Sequence, residues 1–229
     1  MNRTIVDLLA DNAEHAHAFA GRFDEVQEGQ HPEAVTICCS DSRVLQDQLF
    51  GNETPGRLFT CGNIGNRVVQ RTDAGEVVSG DVLYPLAHAG TRTAVVVGHT
   101  GCGAVTATYG ALTGDLDGDD EPSGIRHCVD LLGPHLEPGV DLLPDGLDDA
   151  AAVDRLVEYN VDRQVEQLVN SDDVPDDTDV VGVVYDFQDV YGGERGEVHV
   201  INVDGERDPE VLRGEHGEVA DRVRRLWTY

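Results

Sequence analysis

Two short segments carry side chains able to do chemistry: Cys39-Ser40-Asp41-Ser42-Arg43 and, well downstream, His99-Thr100-Gly101-Cys102. Two thiols and one imidazole are soft-to-borderline donors that suit a zinc ion. Three protein ligands leave the fourth position of a tetrahedral site open, which separates a catalytic zinc from a structural one. Cys39, Asp41 and Arg43 alternate, so on an extended segment they project to one side while Cys38 points away. Asp41 and Arg43 then stand where a carboxylate and its partner orient whatever occupies the open position. Cys38, Cys61 and Cys128 lack ligand-spaced neighbours and read as packed thiols. A phosphate loop around His99 is the competing reading, but the lysine and the full glycine pattern are missing.

Something must bring these segments together. Short apolar runs at Ala34–Cys38, Arg57–Cys61 and Thr93–Gly98 predict strands of a parallel sheet buried on both faces. Cys39 follows the first run and His99 follows the third, so both arrive at the carboxyl rim where such sheets bind ligands. Gly98, Gly101 and Gly103 permit a tight strand-to-helix turn, and the following helix, to about Leu112, favours a Cys102 thiolate at its start. Helices are predicted over 4–20, about 79–89 (with Pro85 as a possible break), 150–170 and 208–227. Strands are predicted over 179–185 and 197–203, and acidic, glycine-containing loops over 113–124 and 133–146. The expected architecture is α/β: one domain over 1–229 with a mostly parallel central sheet, one antiparallel edge strand and flanking helices. Its core spans about 30–203.

Composition narrows the setting. Acidic residues number 44 against 16 basic ones, net −28, and every basic residue is arginine. Carboxylates at that density repel in dilute salt and are screened at molar salt, so the composition resembles that of extreme halophiles with a salt-rich cytoplasm. Nucleic acid and anionic membranes are disfavoured as partners. An odd count of five cysteines without framework spacing fits a reducing interior. Asp7 and Asp11 interrupt Ile5, Leu8 and Leu9, so no secretory signal is expected and the location reads as cytoplasmic.

With these motifs in place the chain resembles the β-class carbonic anhydrases, in their plant-like branch. The likeness runs through most of the sequence: CSDSR, HTGCG, Asn63-x-Gly65-Asn66, the segment Ser79 to Tyr84, Asn160-Val161-x-x-Gln164-Val165 and Val183-Val184-Tyr185-Asp186. It implies zinc held by Cys39, His99 and Cys102, and reversible hydration of carbon dioxide to bicarbonate by zinc-bound hydroxide. Asp41 takes the hydroxide proton and Arg43 keeps Asp41 ionised. In a closed state Asp41 becomes the fourth ligand. Gln30, Phe59, Ile64 and Tyr84 match substrate-pocket positions, several of them supplied by a partner subunit. The resemblance further implies a homodimer, which can pair into a tetramer. One departure stands out: Gly62 occupies a position where the family often has arginine. Two other readings stay open, a hydrolase of carbon disulfide or carbonyl sulfide on the same scaffold and a noncatalytic zinc module.

Overall fold

The computed structural model describes residues 2–114 and 121–229. Five strands form the main sheet: β1 (Ala34–Cys39), β2 (Leu58–Asn63), β5 (Thr93–His99), β6 (Asp179–Asp186) and β7 (Glu197–Val203). Their order is β2-β1-β5-β6-β7, parallel throughout except for β7, which runs antiparallel to β6 at the edge. This is the predicted architecture. A separate hairpin, β3 (Val69–Thr72) with β4 (Gly75–Val78), was not foreseen. Its strands are short and largely exposed, so no apolar run marks them.

One sheet face is covered by helices α2 (Gly80–His88), α3 (Gly103–Thr113), α4 (Ser123–Asp141) and α5 (Asp149–Val169). Helix α5 lies on β5 and β6. Gly98 and Gly182 make the approach close: a Cβ on either would come within 2.7 Å of a Val161 methyl. The opposite face is apolar too, as the strand sequences require, but its buried cluster is only Cys38, Val97 and Val183, bordered by half-buried Val95, Val181, Val198 and Val200. The expectation of strands buried on both faces holds for β1, is nearly met by β5, where only Thr93 and Val95 are half-buried, and fails within this chain for the edge strand β2.

Pro85 does not end α2. Its ring deprives the Asp81 carbonyl of an amide partner, and the Cys61 thiol donates to that carbonyl instead, at 3.4 Å. The loop expected over 133–146 is a correction: most of it continues α4 to Asp141, despite Pro134 and Pro138. Both prolines are exposed, as is Asp130, so the carbonyls they strip face water, while Leu132 and Leu136 on the other side are fully buried. Core burial outweighs two missing amide bonds. The acidic loop predicted over 113–124 has its centre, 115–120, outside the described residues; Thr113 ends α3 and Ser123 opens α4.

The helix expected over 208–227 also breaks. Helix α6 covers Pro209–Glu215, capped by Asp208, and a 3-10 stretch follows over Gly217–Arg222. The last residues then run extended back to α5, where the Trp227 indole donates to the Arg155 carbonyl and Arg225 pairs with Asp162. The helix at the start, α1 (Arg3–Phe19), forms as expected, with Asn2 accepting from the Thr4 amide. None of its residues is buried: Ile5, Val6, Leu8 and Leu9 all face solvent.

Candidate metal centre

Cys39 closes β1 and His99 closes β5, its neighbour in the sheet, so the two side chains emerge at the same carboxyl rim. Cys102 follows as the residue before α3, with the amides of Ala104 and Val105 directed at its sulfur. The Gly65 amide approaches the Cys39 sulfur from the turn after β2. All three donor atoms lie within 4.8 Å of one another, and the two sulfurs are 3.9 Å apart. Zinc–sulfur bonds of about 2.3 Å in a tetrahedron place two sulfurs roughly 3.8 Å apart, so the pair fits a shared ion.

The histidine is prepared for the same task. Its Nδ1 lies 3.0 Å from the Thr100 carbonyl and donates to it, which assigns the ring lone pair to Nε2. Nε2 is buried and has no hydrogen-bond partner among the described residues. An orphaned acceptor at this depth costs about 1–3 kcal/mol, a cost that a cation at the site would remove. The thiols are already biased: the Cys102 S–H beside it pulls Cys39 down to about 5, while the Cys39 thiolate and burial push Cys102 up. A divalent cation between them would favour both thiolates. The remaining buried thiols are of another kind, since burial raises Cys38 to about 12 and Cys61 to about 11. Cys128 is only half-buried, against the expectation of a core thiol. It faces a cavity and lies 3.7 Å from an Arg67 nitrogen.

Asp41 and Arg43 form the expected fork. The guanidinium donates from Nε to Oδ1 at 2.9 Å and from Nη2 to Oδ2 at 2.6 Å, and the Arg43 amide also donates to Oδ1. That grip holds the Asp41 carboxyl far below the usual carboxylate range. Asp41 Oδ2 lies 3.8 Å from His99 Nε2, so the carboxylate faces the ligand cluster. Phe187, not anticipated, supports both groups: its ring stacks on His99 at 5.8 Å and lies 4.7 Å beneath the Arg43 guanidinium.

A cavity of about 390 Å³ opens beside Cys39 and Asp41. Ile64 lines it, and Ala104, Ala107, Ile125 and Val129 complete an apolar wall that the sequence did not reveal. Phe59, Tyr84 and Gln30 are elsewhere in this chain. Phe59 pairs with Val35, four residues back along β1 from Cys39, a strand distance of about 13 Å. Tyr84 is exposed, with its ring 6.1 Å from that of Phe59, and Gln30 is also exposed. The space above Gly62 is occupied by Gln46 and Ser40, since a Cβ there would lie 2.9 Å from Gln46 Nε2. An arginine at this position would have to displace Gln46, which itself donates to the Cys39 carbonyl.

The turn carrying the ligands is held by two carboxylates: Asp154, which sequence reading missed, and Asp186, which it quoted only as part of the family likeness and gave no role. Asp186 accepts from the Thr100 hydroxyl at 3.3 Å, and burial, which would raise it, is outweighed by several backbone amides including those of Gln188 and Tyr191. Asp154 accepts from the Gly101 amide at 2.8 Å. It is the first of three buried acids on α5, with Glu158 and Asp162 following at intervals of four, hence on one helix face. Glu158 accepts from the Tyr191 hydroxyl and the Leu226 amide; Asp162 accepts from Asn202, Arg225 and Tyr229.

The family profile described as carbonic anhydrase matches residues 34–194. A carbonic anhydrase of Pseudomonas aeruginosa is 34% identical over 146 residues, covering 64% of this chain and 63% of that protein, a little under two thirds of its length. Among solved structures, the Coccomyxa β-carbonic anhydrase in complex with acetazolamide superposes with a TM-score of 0.69 at 24% identity, covering 97% of this chain and 98% of the other. The β-carbonic anhydrase CafA of Aspergillus fumigatus gives 0.66 at 25% identity, covering 97% and 100%. No helix among the described residues is long and apolar enough to cross a membrane.

Proposed function

This chain belongs to the carbonic anhydrase family and carries its β-class fold, and from that premise we propose that it hydrates carbon dioxide reversibly to bicarbonate and a proton, with zinc as cofactor. The observation that carries the reading is the convergence of Cys39, Cys102 and the unpartnered His99 Nε2 beside a carboxylate held ionised. A zinc ion held by those three residues supplies Lewis acidity that lowers the pKa of water from 15.7 towards about 7, making hydroxide available near neutral pH.

The chain's own residues do the rest. Asp41, kept anionic by Arg43, would accept a hydrogen bond from the attacking hydroxyl and so turn the oxygen lone pair towards the carbon. The aliphatic walls formed by Ile64, Ala104 and Val129 keep a small nonpolar gas in place of water. Should the grip of Arg43 fail at low pH, Asp41 is the group placed to close the site as a fourth ligand.

Gln30, Phe59 and Tyr84 serve the cavity of a neighbouring copy in this reading. The exposure of Gln30 and Tyr84, the uncovered apolar stripe of α1 and the thinly covered second sheet face support a dimer, itself able to pair into a tetramer. The match of Gln30, Phe59, Ile64 and Tyr84 supports the plant-like branch, and the lysine-free acidic composition supports a salt-rich cytoplasm. Stopped-flow hydration of carbon dioxide in concentrated potassium chloride, before and after chelation and zinc return, tests the proposal. Activity should vanish with the metal and come back with about one zinc per chain. No hydration by fully zinc-loaded protein refutes it.

A further inference from the structure

Gly101 stands between His99 and Cys102 with a φ of +59°, in the left-handed region, and both of its backbone polar groups are engaged. Its amide donates to Asp154 Oδ1 at 2.8 Å, and its carbonyl accepts Arg43 Nη2 at 3.3 Å. The same Nη2 donates to Asp41 Oδ2 at 2.6 Å. A continuous line of hydrogen bonds therefore runs from α5 to the carboxylate at the ligand cluster. Its far end is rigid, because Asp154 is buried on a helix whose Val157 and Val161 pack directly against β5 at Gly98. Glycine at 101 adds no side-chain restraint of its own, and a Cβ there would meet Gln188 Oε1 at 2.5 Å, so the orientation of this turn depends on what its amide and carbonyl grasp.

We propose that Asp154 is a positioning residue: by fixing the Gly101 amide it directs the Gly101 carbonyl at Arg43, and through Arg43 it aims Asp41. The inference rests on the carbonic anhydrase reading for its rate predictions, while the contact itself can be observed without any activity.

The test compares zinc-loaded wild-type protein with Asp154→Ala, Asp154→Asn, Arg43→Ala and the double variant Asp154→Ala/Arg43→Ala. Losing a charged acceptor should lower kcat of Asp154→Ala about tenfold with zinc content retained and KM little changed. Asparagine still offers an oxygen to the amide, so Asp154→Asn should recover to within about threefold of wild type. In the Arg43→Ala background the alanine change should cost less than about twofold, because the route to Asp41 is already cut. The Gly101 amide resonance of nitrogen-15-labelled protein should move upfield in both Asp154 variants. An inactive wild type with a shifted resonance would refute the carbonic anhydrase reading and leave the contact standing. Full activity in Asp154→Ala, or an equal loss with and without Arg43, would overturn the positioning role. Should the alanine variant not fold, the asparagine variant decides: an unmoved Gly101 resonance would show that Asp154 does not hold the turn.

Discussion

Asp41 Oδ2 lies 3.8 Å from His99 Nε2, too far for a hydrogen bond yet near enough that both atoms address one point. The histidine lone pair has no other protein partner among the described residues, and the carboxylate is held by three hydrogen bonds from Arg43, two from the guanidinium and one from the amide. The ring nitrogen and the carboxylate are thus locked towards each other by separate anchors, Thr100 for the ring and Arg43 for the acid.

Asp41→Ala should leave the three donor atoms in place and remove the acceptor beside them. We expect about one zinc per chain, close to wild type, and carbon dioxide hydration lowered roughly a hundredfold. Metal analysis alongside stopped-flow rates checks this. Undiminished turnover would take Asp41 out of the reaction, and loss of the metal would recast it as an obligatory ligand.

Gly101→Ala forces a Cβ into a left-handed backbone and against Gln188. The backbone term costs about 1–2 kcal/mol, and Gln188 can retreat because the clash is with the tip of a flexible side chain. We expect lower stability by that amount and weaker metal retention under competition with a chelator. A variant as stable and as metal-tight as wild type would mean that the turn tolerates another conformation.

The ligand motif was legible because donor type is visible in sequence and strand ends place such donors at one rim. Cys39, His99 and Cys102 meet at the rim that the strand ends indicated. The expected alternation does not hold past Cys39: Asp41–Val44 is a turn, closed by the Val44 amide on the Asp41 carbonyl, and that turn sets Arg43 beside Asp41. The supports were not legible for the opposite reason. Asp154, Glu158 and Asp162 resemble the exposed acids found throughout this chain, and their burial is decided by Gly101, Tyr191 and Arg225, far away in sequence. Their spacing of four among Val157, Val161 and Val165 was the available signal, since acids placed beside a core stripe need partners. Helix α4 hid behind two prolines because their effect depends on which face is wet, a tertiary fact. Gln30, Phe59 and Tyr84 cannot be united with Ile64 in one chain, since Phe59 sits towards the amino end of its strand and Ile64 beyond the carboxyl end.

Glu158 gives stability a pH dependence. The side chain is fully buried, and burial pushes its carboxyl up to about 7, from 4.5. Between those values the folded chain keeps a proton that the unfolded chain has released. The contribution is therefore complete below about pH 4.5 and is lost as the pH rises through 7. Glu158→Gln carries no such proton, so the stability of wild type relative to this variant should fall from pH 5 to pH 8, by on the order of 3 kcal/mol at most. Urea denaturation of both proteins at fixed potassium chloride measures the difference. Parallel pH curves would show that Arg225 keeps Glu158 ionised throughout.

Salt should stabilise the fold by screening rather than by dehydration. With 44 acids and 16 arginines, at least 28 carboxylates (44 − 16) have no cation to pair with one to one. Exposed pairs such as Arg3–Asp7, Arg22–Glu53 and Arg57–Glu33 contribute at most about 1 kcal/mol each. Raising salt from 0.1 M to 1 M shortens the Debye length from about 10 Å to about 3 Å, removing most repulsion between neighbouring surface acids. A gain on the order of 3 kcal/mol would raise the melting midpoint by roughly 6–12 °C for a chain of this size. Sucrose is excluded from protein surfaces but carries no charge, so it strengthens burial without screening. Melting in a potassium chloride series should therefore rise far more steeply than in sucrose of matched osmolality. Equal slopes would assign the effect to solvent exclusion, and a flat chloride series would remove the case that this surface is built for molar salt.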